Sequence, residues 1–293
     1  MEIFGRPLPA LASQVVLGLV NGSFYAMLSL GLAVIFGTLN IVNFAHGAFY
    51  MVGAFGAFLA FSELGINYWL ALILVPLAVG AAGVLIERGL LKQLQGLDPL
   101  YGLLLTFGLS LILEGVLRHY YGSSGQSYPR PPALNGAWNL GFMALPVSRA
   151  WVIGVSLVVC LATWVVIERT RLGAYLRAAT ENPSLTQAFG VNVPLLVTLT
   201  FGFGVALAGL AGVLAASAVQ ITPLMGSNII IVVFAVVVIG GMGSILGAIL
   251  TGLGLGVVEG LTRVYYPEAS ATVVFVIMAI VLLVRPAGLF GKA

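Results

Sequence analysis

Charge is what this sequence has least of. Asp, Glu, Lys and Arg make up 7% of its 293 residues, where a soluble domain carries about a quarter. So few charges cannot furnish a water-facing surface, so a soluble globular enzyme or binding module is excluded. Lysine is scarcer still, at two residues, Lys92 and Lys292, and neither stands in a Gly-Lys-Ser/Thr phosphate loop. The chain therefore has no Walker-type ATP site of its own. One cysteine, Cys160, excludes an internal disulfide. Two histidines far apart, His46 and His119, offer no metal-ligand spacing, and no metal or other cofactor is expected. No Gly-x-Ser-x-Gly or His-Glu-x-x-His stretch occurs, so no catalytic group is assigned. No basic run suggests nucleic acid. The N-terminus lacks a signal-peptide pattern, since Glu2 and Arg6 cancel and no cleavage site is apparent.

What the sequence does have is apolar length. It is 60% hydrophobic with a mean hydropathy of +1.12. About 20 residues at 1.5 Å rise cross the hydrocarbon core of a bilayer. Apolar runs fall at about 11–37, 44–62, 68–86, 101–117, 150–167, 195–219, 228–239, 245–260 and 271–285. The seventh and eighth are short and meet at GGMGS (240–244), as two short crossings or one broken element. This predicts an all-α, polytopic membrane domain over 1–293, with eight or nine membrane elements, some discontinuous.

Two connections are long. Residues 118–149, with Pro129, Pro131 and Pro132 among several glycines, read as an irregular loop. Residues 168–194 are the most charged stretch. Within it Asn182-Pro183 is a helix-start signal and Gly190 a stop, predicting a short helix at about 183–189 with a turn or two of helix before it. Placing this loop in the cytoplasm divides the basic residues seven to five in favour of that side, with the N-terminus outside and the C-terminus inside.

Small residues recur every four positions in three rows: Gly18-Gly22-Ala26, Gly204-Ala208-Gly212-Ala216, and Ser244-Ala248-Gly252-Gly256-Gly260. Such rows let helix backbones approach closely in lipid. Gly204, Gly212, Gly252 and Gly256 are accordingly assigned to packing inside the chain, with dimerisation through one row as the alternative. HGAFYMVGAF (46–55) and MGSILGAI (242–249) form a weak internal echo, of the kind that marks discontinuous helices along a transport route.

The mouth of the second run is unusual: Asn40, Asn43 and His46 stand three residues apart, on one side of a helix, with Gly47 following. They either satisfy freed backbone groups where a helix begins or line a route with Asn21 and Tyr25 of the first run. Ionisable residues are otherwise predicted at span ends near water: Glu87 with Arg88, Glu114 with Arg118, Glu259 with Arg263. A proton-coupled carrier would bury carboxylates mid-membrane, and none is expected there.

These stretches together resemble one family. LVNGSFYAMLSLGLAVIFGTLNIVNFAHGAFYMVGAF (19–55) closely resembles the N-terminal signature of LivH-like permeases, the membrane subunits of branched-chain amino acid ATP-binding-cassette transporters. RTRLGAYLRAATENPSLTQAFGVNV (169–193) is similar to their cytoplasmic loop, VVIGGMGSILGAILTGLGLGVVEG (237–260) to their later glycine-rich element, and LLVRPAGLFG (282–291) to their tail. The loop departs from the fuller Glu-Ala-Ala…Gly…Leu-Pro form of other importers, keeping Ala178, Ala179 and Gly190. The resemblance implies a multi-pass protein of a bacterial inner membrane. Its partners would be a LivM-like second permease or a second copy, two cytoplasmic ATPases and a periplasmic substrate-binding protein. Arg177, Glu181 and Asn182 would supply polar contacts to the ATPase, Leu185 and Phe189 apolar ones, with Gly190 ending the coupling helix. The cargo implied is branched-chain amino acids, with urea, short amides or aromatic acids as alternatives. A self-sufficient channel or secondary carrier is the rival from another class.

Overall fold

The computed structural model describes residues 2–3, 6–39, 42–94 and 96–291, and among these it holds eleven α-helices. They are α1 (Leu8–Leu39), α2 (Ala45–Ser62), α3 (Tyr68–Gly89), α4 (Pro99–Tyr121), α5 (Val147–Arg169), α6 (Arg171–Glu181), α7 (Pro183–Ala188), α8 (Val193–Ala216), α9 (Met225–Gly240), α10 (Ile245–Tyr265) and α11 (Val273–Val284). Seven are long and apolar enough to cross a bilayer, and α9 and α11 are shorter apolar helices. The nine apolar runs thus become nine helices. The stretch around GGMGS is two separate helices. The second of them, α10, has 21 residues and is no short crossing.

The ends of the bundle are marked by contacts. The C-terminal turn of α1, the α5–α6 junction, the α9–α10 turn and Phe290–Gly291 enclose one cleft and so share an end. At the other end, Ser13 Oγ donates to the Phe142 carbonyl at 3.4 Å, and Gln126 pairs with Ile221 as an isolated antiparallel bridge. The 118–149 connection is more ordered than its prolines suggest. α4 runs on to Tyr121, and Ala137–Asn139 pairs with Ala144–Pro146 in a small antiparallel hairpin.

The core lies where α1, α2, α8 and α10 meet, and the small-residue rows explain why. Gly18 and Gly22 of α1 face Gly256 and Gly252–Leu253 of α10, with Gly260 against the Gln14 backbone. Gly204 of α8 faces Gly31, and Gly212 faces Tyr50–Ala54 of α2. At each of these glycines a Cβ would run into the neighbouring helix, chiefly its backbone. A second set, not counted among the rows, does the same: Gly53 meets Gly209, and Gly80 meets Gly202. α4 is the opposite case, with only Gly102 and Thr106 buried along it.

Candidate translocation and coupling sites

α2 begins well inside the bundle, away from the end that α1 reaches. Thr38 lies at the end of α1 that shares the cleft, yet His46 sits against the Leu28 carbonyl. Ten residues of helix separate the two levels, about 15 Å at 1.5 Å each. α2 therefore starts inside the bundle, where water cannot satisfy its first N–H groups. Its N-cap, Phe44, has no side-chain cap. The partner comes from α4: the Phe44 N–H donates to Thr106 Oγ1 at 3.2 Å, and that hydroxyl lies 3.3 Å from the Val42 carbonyl and 3.0 Å from its own Leu103 carbonyl. Sequence reading missed Thr106, because a lone threonine in an apolar run carries no pattern.

The polar residues expected at this break are placed differently from one another. Asn40 lies outside the described residues. Asn43 is 1% exposed, and neither its amide oxygen nor its nitrogen has a hydrogen-bond partner among the described residues. Its backbone carbonyl accepts the His46 N–H at 3.3 Å. His46 is fully enclosed. Its Nε2 is 3.0 Å from the Leu28 carbonyl, so Nε2 carries the hydrogen, while Nδ1 has no partner among the described residues. His46 thus does not cap its own helix. It ties α2 to α1, and a Cβ at Gly31 would come within 3.0 Å of the ring.

Asn21 and Tyr25, one turn apart on α1, are half-buried and belong to another neighbourhood. The Tyr25 hydroxyl donates to Glu259 Oε2 of α10 at 2.7 Å, and Arg263 donates to Glu259 Oε1 at 2.7 Å. The Glu259 side chain is 10% exposed, buried rather than at a wet span end. Glu87 departs likewise: the residue is 1% exposed, with the Thr198 hydroxyl 2.6 Å from its Oε2. Both carboxylates stand toward helix ends as expected, yet neighbouring helices, which spacing does not reveal, cover them. Glu114 and Arg118 pair at 3.2 Å as expected of an i, i+4 couple.

The charged connection is an ordered arm. α6 is three turns long, more than the one or two expected. Gly173 sits so close to the Ile167 carbonyl that a side chain would collide. Arg177 turns back to α5, donating to the Ile167 carbonyl at 3.2 Å and lying 3.5 Å from Glu168. It braces the base of the arm instead of reaching out from its tip. α7 begins where Asn182 Oδ1 accepts the Leu185 N–H at 3.0 Å and Pro183 opens the first turn. Gly190 follows at φ +84°, a left-handed position that favours glycine. Glu181 is exposed, and at the tip Leu185 is 55% and Phe189 81% exposed. Beneath the arm lies a cleft of about 730 Å³, lined by Phe36, Glu168, Arg177, Met242 and Phe290 among others.

Residues 14–284 match the family described as the permease component of branched-chain amino acid transport systems. The chain is 32% identical over 292 residues to the high-affinity branched-chain amino acid transport system permease protein BraD of Pseudomonas aeruginosa, covering 95% of each. It is 31% identical over 290 residues to the permease protein LivH of Escherichia coli K12, covering 94% of each. A probable branched-chain amino acid transport permease protein LivH of Methanocaldococcus jannaschii is 30% identical over 286 residues, with 93% of this chain and 90% of that protein covered.

Proposed function

The chain belongs to the branched-chain amino acid transport permease family, and from that premise we propose that it imports branched-chain amino acids or closely related small solutes as one half of an ATP-driven membrane channel. It is a multi-pass membrane permease component. The ATP that drives it is hydrolysed on two partner ATPases in the cytoplasm, and its cargo arrives from a substrate-binding protein outside. A second permease, of a related type or a second copy, completes the membrane part.

The observation that carries this reading is the α6–α7 arm. Leu185, in the first turn of α7 that Asn182 caps, and Phe189, just past its end, stand exposed within the most charged stretch of the chain. Exposed apolar side chains on an ordered, polar-rimmed projection are what a protein partner covers. Gly173 and Arg177 lock the arm to α5, so a push at Phe189 reaches the membrane helices as a rigid displacement. The cleft beneath the arm leaves room for that movement.

The test is uptake in proteoliposomes holding the permease pair, the cognate ATPases and the binding protein. Leucine, isoleucine and valine are expected to accumulate with ATP, while urea, short amides and aromatic acids are not. Uptake without ATPases would establish the channel or carrier reading instead. ATP-driven uptake of urea or an aromatic acid in place of leucine would keep the importer and replace the cargo.

A further inference from the structure

We propose that Arg88, Lys92 and Asn192 form a binding site for the headgroup of an anionic phospholipid, with its acyl chains lying between α3 and α8. These residues, with Pro194, Leu195 and Thr198, line a cleft of about 390 Å³ where the C-terminal end of α3 meets the start of α8. None of them takes part in the break or the arm.

Charge and greasiness follow one another along the same faces. Leu70, Leu74, Leu77, Leu85, Arg88 and Lys92 recur at helical spacings on α3 and its 3-10 extension Leu91–Leu94. The four leucines are exposed by 49%, 45%, 63% and 71%, and both cations are exposed. On α8, Leu195, Leu199 and Phe203 form a second exposed stripe at four-residue spacing, by 41%, 54% and 42%. Between the stripes the two helices close on small residues, Gly80 against Gly202 and Gly83 against Val205. The result is an apolar furrow that ends in two positive charges.

The cations are available. Among the described residues neither Arg88 nor Lys92 makes an ion pair. The nearest carboxylate in sequence, Glu87, is buried and engaged with Thr198. Asn192 uses its amide oxygen on the Leu195 N–H at 3.1 Å, which leaves its NH₂ group as a donor for phosphate oxygens. The start of α8 contributes little itself, because the Leu195 N–H is satisfied by Asn192 and Pro194 has none. Two basic side chains and an amide at the foot of a lipid-facing furrow match a phosphodiester whose chains continue into the bilayer. A free phosphate has no use for the furrow.

The test uses the full-length chain in lipid nanodiscs and in native mass spectrometry from detergent. Probes are phosphatidylglycerol and phosphatidylcholine of identical acyl chains, with inorganic phosphate as a soluble competitor. The parent is expected to retain phosphatidylglycerol on the order of tenfold better than phosphatidylcholine, because two cations meet its anionic headgroup. R88Q with K92Q should erase that preference, while K92R keeps it. If the double variant does not fold, the parent still decides. Its unfolding temperature should rise with phosphatidylglycerol over phosphatidylcholine, and an excess of inorganic phosphate should not remove the rise. Equal retention of both lipids by the parent would overturn the site. So would displacement by phosphate alone, or a double variant that keeps its lipid but releases the ATPases.

Discussion

The α1–α10 seam and the α5–α6–α7 arm are built by opposite means. In the seam, Gly18, Gly22, Gly252 and Gly256 bring two helix backbones together, with Tyr25–Glu259 and Ser29–Ala248 as polar ties between the same helices. Lipid supplies no hydrophobic drive between helices, so close packing over a long face must hold them. The arm is polar and largely exposed. It is held by an N-cap at Asn182, a close approach at Gly173 and the Arg177 brace, while its apolar side chains face outward. The seam is a part whose failure unfolds the protein. On the proposed reading, failure of the arm would leave a folded protein that no longer transports.

The sharpest way to break this contrast is Gly256→Leu. The Cβ alone would strike the Gly18 and Gly22 backbone, and overpacking of this kind costs roughly 1–3 kcal/mol or more. Thermal unfolding in detergent should fall by several degrees or the protein should fail to accumulate. A variant that unfolds and transports like the parent would mean that the seam is not needed.

Phe189→Asp should have the reverse signature. The side chain is almost wholly exposed, so the unfolding temperature should stay within error, since surface changes are usually within about 0.5 kcal/mol. ATP-driven uptake and co-purification of the ATPases should both be lost. Retained uptake would remove the tip of the arm from coupling.

The break between α1 and α2 tests whether a polar tie inside the bundle behaves like seam or arm. His46→Leu removes the donor to the Leu28 carbonyl and should cost about 1–3 kcal/mol of stability, while His46→Gln, which can still donate, should cost less. Uptake by the parent is expected to be flat between about pH 5.5 and 7.5, the range in which an exposed imidazole titrates. Among the described residues the enclosed ring meets the Leu28 carbonyl and no other hydrogen-bond partner. A profile that varies in the parent and flattens in His46→Gln would make His46 a relay.

Arg177→Ala is the smallest expected effect. Its ion pair with Glu168 is half exposed on both sides, and such pairs contribute about 0–1 kcal/mol. Stability should barely change. Uptake should fall partly while ATPase association persists, because the arm binds but transmits loosely. Full uptake would assign rigidity to Gly173 alone.

Much of this is legible in the sequence. Nine apolar runs became nine helices because a chain in lipid must satisfy its backbone within each segment, so length and hydropathy suffice to find spans. The start of α7 was readable because Asn182, Pro183 and Gly190 act within a few residues of one another. The four-residue rows announced close packing because their period is the helix's own. Which row meets which helix was not readable, since Gly18 and Gly256 are 238 positions apart. Distance in sequence likewise hid Thr106 serving Phe44, Tyr25 holding Glu259, and the covering of Glu87 by Thr198. Local backbone chemistry is written residue by residue in the chain. A buried polar group's partner is chosen by which helices pack together, and only the tertiary structure decides that.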